Sequence, residues 1–383
     1  MPARHEWIKS MEQISDDAYD VHFRHFDPDL YDPREWARKA KAAGMKYAVL
    51  TTKHHEGFCL FDSKYTDYKS TNTPCGRDLV KEFVEAFRAE GLKIGFYYSL
   101  LDWHHPDYTI DVCHPLRNAP DREAQNEKRD MRRYAEYMRA QITELLTNYG
   151  KIDVLWLDYS FEGKGKDEWE SEKLIATARA LQPDILINNR SGIEQDLWTP
   201  EQEQPREWVR DDAGNLVTWE LCQTFSGSWG YHRDENTWLN AEQLVRMLVG
   251  CVAEGGNLLL NVGPTARGYF DKRVDARLAA IGEWMAYHGE SVYGCTKSRF
   301  DSPGDIRYTE PEGRNDLLYA HLFAYPYKQL FLPGLQGKVE YACFLHDGSE
   351  LLMTESESGV TFDLPRVKPD VLVPVVKLYL KTE

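Results

Sequence analysis

The chain has 383 residues, too many for one ordinary domain but enough for an α/β barrel of about 250 residues with a small companion. Its 46 basic and 62 acidic residues leave a net charge of −16, which argues against a nucleic-acid or anionic-membrane surface. Apolar residues make up 42%, enough for a large core, and 11 Trp, 22 Tyr and 15 Phe supply flat faces that stack on sugar rings or fill a core.

The opening residues MPARHEWIKSMEQ carry no apolar h-region, so a cytoplasmic location is the expectation. Helical spacing over Pro33–Ala43 stops at Gly44, and Lys46–Thr52 (KYAVLTT) reads as a short apolar strand. Asp78–Glu90 predicts a helix ending at Gly91, and Lys93–Ser99 (KIGFYYS) the next strand. A long helix is predicted over Arg122–Tyr149, closed by Gly150, and then a strand at Ile152–Asp158 (IDVLWLD). Helix Glu168–Leu181, strand Ile185–Asn188 and a weaker strand at Thr218–Cys222 follow. Helix Ala241–Glu254, strand Asn257–Val262 and helix Lys272–His288 end the alternation.

Strand and helix in alternation predict a parallel sheet, and no glycine-rich phosphate turn follows any strand, so a barrel fits better than an open doubly wound sheet. Six strands are convincing, not eight. After Cys295 the helical period disappears. Leu317–Ala324, Gln329–Leu332, Val339–Phe344, Glu350–Thr354 and Val371–Tyr379 read as short strands of a small antiparallel domain. The expected division is therefore a catalytic barrel over 1–295 and a β-sandwich over 296–383. The longest apolar runs are far too short to span a bilayer. Seven scattered Cys, with no C-x-x-C pair, read as free thiols.

Polar clusters end the strands, where α/β folds place their sites. Asp158 closes VLWLD on the same face as Trp156 and suits a nucleophile as well as a loop cap. His54 and His55 are adjacent at a strand end, so both reach one site only if the chain turns, which Gly57 favours. They suit sugar hydroxyls, a metal or plain structural roles. Asp102, His104 and His105 are further ligand types, but no H-x-H or H-E-x-x-H is present. Arg190 follows Asn188-Asn189, and Glu201 and Glu203 lie in a loop without helical period. Either glutamate is the second carboxylate that an aspartate nucleophile requires for acid/base work.

Trp36–Met45, TTKHHEGF (51–58), YYS (97–99), LWLD (155–158), NNR (188–190), TPEQ (199–202), WELC (219–222), SWGY (228–231) and GGNLLLNVGPTARG (255–268) occur in this order. Together they resemble the α-L-fucosidases of glycoside hydrolase family 29, over about Glu6 to Gly294. The resemblance implies a (β/α)8-like barrel with a C-terminal antiparallel β-sandwich and a retaining exo-α-L-fucosidase that needs no cofactor or metal. It implies Asp158 as nucleophile and Glu201 as acid/base, with Glu203 as second choice. Implied sugar contacts are Glu6, Trp7, His54, His55, Tyr97 or Tyr98, Trp156, Arg190 and Trp229. The family's first barrel strand, ending in His-Trp-Gly, precedes the Glu-Trp pair, yet only five residues precede Glu6 here. The barrel is expected to lack that strand, and the chain to form a homo-oligomer whose neighbour covers the opening. The implied substrate is a fucosylated oligosaccharide or glycoconjugate, with no nucleic-acid or membrane partner. A metal-dependent barrel hydrolase and an inactive carbohydrate-binding protein are the rival readings.

Overall fold

The computed structural model describes residues 5–382. Strands β1 (Tyr47–Lys53), β2 (Lys93–Ser99), β3 (Val154–Asp158) and β4 (Leu186–Ile187) form a parallel sheet in sequential order. Strands β5 (Glu220–Thr224) and β6 (Asn257–Asn261) form a parallel pair. Between the two groups residues 197–201 run extended, with single parallel bridges from Leu197 to Asn188, Trp198 to Trp219 and Glu201 to Cys222. The sheet thus curls from β1 round to β6.

The pleat sorts its side chains. On β2 and β3, Ile94, Phe96, Tyr98, Leu155 and Leu157 pack against helices Leu79–Ala89 and Met131–Asn148. The alternate residues Tyr97, Trp156 and Asp158 face the barrel interior, where Tyr97 and Trp156 are register partners. The helices start at sequence-encoded caps. Asp32 accepts from the backbone N–H groups of Arg34 and Glu35, with Pro33 next to it, and Asn240 and Gln243 form a reciprocal capping box. The long helix predicted over 122–149 is two helices, Arg122–Asn126 and Met131–Asn148. Asp130 takes an extended backbone and caps the second one, while the Asn126 amide exchanges hydrogen bonds with the backbone of Ile110. Local hydrogen bonding outweighs the helical period there.

The barrel is open between β6 and β1. Among the described residues β1 has one ladder partner, β2, beyond a single antiparallel bridge from Lys53 to Cys59, and β6 has one, β5. The apolar residues Ala48, Val49 and Leu50 on β1 and Leu258, Leu259 and Leu260 on β6 are only half-buried.

The C-terminal part is a β-sandwich. Strands β7 (Cys295–Lys297), β8 (Ile306–Pro311), β9 (Leu317–Leu322), β11 (Val339–Phe344) and β14 (Val375–Leu380) form one sheet in the order β11-β14-β9-β8-β7. Strands β10 (Gln329–Pro333), β12 (Met353–Ser356) and β13 (Gly359–Asp363) form the other in the order β10-β13-β12. All pairs are antiparallel. β7, β8 and β13 were not legible in the sequence, and the expected boundary after residue 295 falls inside β7. Both faces of β9 are buried: Leu318, Ala320 and Leu322 fill the sandwich, while Leu317 and Tyr319 pack among residues of helices Ala241–Ala253 and Lys272–His288. One strand therefore serves two cores and docks the domains.

Candidate active site

A cavity of about 1000 Å³ opens at the carboxyl ends of the barrel strands and continues into the gap between β1 and β6. Glu6, Trp7, His54, His55, Tyr97, Trp156, Asp158, Arg190, Glu201 and Trp229 line it. Two expected residues do not. Tyr98 is fully buried on the other face of β2, where its hydroxyl donates to Gln141 Oε1 at 2.7 Å. The one-residue alternation of the strand sends it away from the cavity that Tyr97 enters. Glu203 is exposed and outside the lining.

Asp158 is held from two sides. Tyr97 Oη donates to its Oδ2 at 2.6 Å, and Arg190 Nη1 donates to its Oδ1 at 2.9 Å. The same Arg190 nitrogen donates to Glu201 Oε2 at 2.8 Å. Two contacts below 3 Å to one nitrogen bring the nearest carboxylate oxygens within about 6 Å, compatible with the roughly 5–5.5 Å of a retaining pair. Arg190 is itself fixed by donating Nε to Thr199 Oγ1 and Nη2 to the Thr199 carbonyl, and its guanidinium lies 4.7 Å over the Trp156 ring. Burial and the Asp158 carboxylate push the Tyr97 phenol far above its ordinary value, so it stays a donor.

The histidine pair reaches one site because the chain turns, as the sequence suggested. Gly57 donates its N–H to the His54 carbonyl at a φ of +87°, and a Cβ there would collide with Asp102 Oδ1. The two rings lie 3.9 Å apart but their pKa values are shifted in opposite directions. Burial opposes a charged His54, yet Glu56 at 3.4 Å, with Asp158 and Glu6 beyond, raises it above the ordinary histidine value. Burial, then His54 and Lys53, hold His55 well below that value, and its Nδ1 meets Ser99 Oγ at 2.6 Å. Under the site Lys53 is fully buried and ion-paired with Asp102 at 3.0 Å. Asp102 also accepts the backbone N–H groups of His104 and His105, so it closes a turn. His104 stacks on Tyr68 and His105 packs against Tyr137. Among the described residues no group of three or more His, Cys, Asp or Glu is arranged to hold a metal ion.

Three site residues escaped the sequence reading. Tyr159, directly after Asp158, has a φ of 86°, and its ring lies 5.4 Å from both Trp7 and His55. Positive φ in a bulky residue is strained and invisible in a bare sequence. Glu220 and Tyr47 meet beneath Trp156: Trp156 Nε1 donates to Glu220 Oε1 at 3.1 Å and Tyr47 Oη donates to Glu220 Oε2. The glutamate in WELC was the available signal.

The arrangement offers two carboxylates across a space walled by aromatic rings, histidines and an arginine, which suits glycoside cleavage. The α-L-fucosidase family pattern matches residues 3–290. The structure is similar to that of α-L-fucosidase isoenzyme 1 from Paenibacillus thiaminolyticus, with a TM-score of 0.95 and 43% identity, covering 100% of this chain and 94% of that one. It is similar, at 30% identity and a TM-score of 0.85, to a Bacteroides thetaiotaomicron family 29 α-L-fucosidase described as a trapped covalent intermediate, covering 98% of this chain and 88% of that one. The human plasma α-L-fucosidase is 30% identical over 393 residues, 94% of this chain and 79% of that protein. Carboxylate pair, barrel, sandwich and family match agree: the chain belongs to the α-L-fucosidases of glycoside hydrolase family 29.

Proposed function

We propose that Asp158 is the nucleophile and Glu201 the acid/base of a retaining exo-α-L-fucosidase that releases terminal α-L-fucosyl residues from oligosaccharides or glycoconjugates. One observation carries the assignment: a single nitrogen of Arg190 touches both carboxylates. Asp158 attacks the anomeric carbon as Glu201 gives its proton to the departing glycosidic oxygen. Water then attacks the glycosyl-enzyme carbon, its proton passes to Glu201, and Asp158 leaves. Glu201 must release Arg190 to carry a proton, and its side chain, 43% exposed, is free to turn toward a leaving group. Glu6, His54, His55 and Arg190 supply polar contacts to sugar hydroxyls, and Trp7, Tyr97, Trp156 and Trp229 supply ring faces for the C6 methyl. The covalent intermediate described for the Bacteroides relative supports double displacement. Turnover of an aryl α-L-fucoside, with NMR of the first anomer released, tests the reading. Retained α-fucose is expected, and β-fucose would sink the mechanism.

The same reading extends to assembly as a homo-oligomer in which a neighbour covers the opening between β1 and β6 and adds side chains near the sugar. The half-buried leucines of β6 and the unpaired strand edges support it. Light scattering, with activity followed on dilution, tests it. A monomer fully active at nanomolar concentration would defeat it.

A further inference from the structure

We propose that Glu220 is a positioning residue for the nucleophile, acting through Trp156 to keep Tyr97 and Arg190 on Asp158. The inference rests on the assignment of Asp158 above. Glu220 opens β5 and is only 2% exposed. Its two oxygens take the indole N–H of Trp156 from β3 and the hydroxyl of Tyr47 from β1. One carboxyl thus ties three alternate positions of the barrel together across its interior, on the side where β6 and β1 fail to pair. Among the described residues β6 and β1 share no ladder of hydrogen bonds, and an internal brace supplies part of the constraint that closure gives a barrel.

The brace leads directly to the nucleophile. Trp156 carries the Arg190 guanidinium at 4.7 Å on its ring and lies against Tyr97 at 5.6 Å and 21°. Those two residues are the ones that hold the oxygens of Asp158. If the indole tilts, both contacts shift, and Asp158 loses its aim at the anomeric carbon. Small errors of aim in a reacting group are costly in rate.

Glu220 has no place in the sugar site itself: it is absent from the cavity lining although Tyr47 and Trp156 both belong to it. Nor is it an ordinary ion pair. Its hydrogen-bond partners are a phenol and an indole, and burial raises its carboxyl above the ordinary glutamate value. A neutral side chain of the same shape can therefore take its place, whereas a truncated one leaves the Trp156 N–H without an acceptor.

The experiment compares Glu220→Ala, Glu220→Gln and Trp156→Phe in the intact chain on an aryl α-L-fucoside, with thermal unfolding recorded for each. Glu220→Ala is expected to lose kcat by about 10- to 100-fold, the cost of a misaimed nucleophile, with KM changed much less. Glu220→Gln recovers most of that loss, and Trp156→Phe, which keeps a ring but lacks the donor, falls in kcat as Glu220→Ala does. Inactivation by 2-fluoro-fucosyl fluoride slows in parallel, because the covalent step is the one affected. Wild-type kcat in Glu220→Ala overturns the proposal, as does a Glu220→Gln as slow as Glu220→Ala while equally folded. If Glu220→Ala does not fold, Trp156→Phe decides alone: unchanged kcat overturns the proposal. Wild-type turnover and Asp158→Ala report separately on the underlying assignment, and the indole N–H resonance lost in Trp156→Phe reports on the brace without turnover. That resonance is expected to move in Glu220→Ala, and its staying in place refutes the brace.

Discussion

Asp158 has both oxygens occupied, by Tyr97 on one side and Arg190 on the other, so its position is set before any sugar arrives. Asp158→Ala is expected to lower turnover of an aryl α-L-fucoside by at least about 10³-fold, because the covalent route disappears. Azide occupying the vacated space restores part of the rate and yields a fucosyl azide of inverted configuration, detectable by NMR. With Glu201 as the proposed acid/base, Glu201→Ala should hurt alkyl fucosides far more than activated aryl fucosides. Relative kcat/KM across leaving groups measures this. Glu203→Ala should keep the wild-type pattern, since Glu203 lies outside the cavity. If Glu203→Ala shows that leaving-group dependence and Glu201→Ala does not, the acid/base assignment passes to Glu203.

The turn after β1 joins sequence, packing and chemistry most tightly. Thr52, Lys53 and His55 are all buried, and Gly57 lets the chain double back so that His54 and His55 share the cavity. Gly57→Ala places a methyl in a left-handed backbone and against Asp102, which already holds Lys53 and two backbone N–H groups. A loss of about 2–4 kcal/mol in unfolding free energy is expected, with turnover falling as the histidines shift. Chemical denaturation and kinetics on the same sample check it, and an unchanged midpoint would show that the turn tolerates a side chain. The open edges of β1 and β6 belong to the same level of structure, because among the described residues each strand has a ladder on one side only.

The barrel and sandwich meet at a buried histidine layer. His288 ends helix Lys272–His288, stacks on Trp284 at 4.8 Å, and His321 of β9 lies 6.3 Å from the same indole. Burial, with help from His346, lowers His288 to about 4, and burial with His288 lowers His321 to about 3, both from an ordinary 6.5. The unfolded chain therefore binds more protons than the folded one below pH 6.5. Stability is full above that pH and falls as the pH drops toward 4 for His288 and toward 3 for His321, by about 1.4 kcal/mol per pH unit for each group. Thermal unfolding between pH 7 and 4 should show a falling midpoint, and His321→Gln should flatten that slope. A slope identical in wild type and variant would assign the acid sensitivity to other groups.

Much of this protein was legible in its residues. Short apolar strands ending in TTKHHE, DYS and NNR, with helices between, state a parallel barrel with its site at the strand ends, because hydrophobic period and strand polarity are local properties. Asp158, the turn at Gly57 and the glutamate-bearing loop were readable for the same reason. Other features are long-range. Whether Tyr97 or Tyr98 enters the cavity depends on strand register, and Glu201 is separated from Glu203 only by which one reaches Arg190 across 11 residues of chain. The meeting of Tyr47, Trp156 and Glu220 spans 173 residues between its ends, and no local pattern marks it. Period and motif fix what a segment becomes, but contacts between segments depend on curvature and packing that exist only once the barrel has curled.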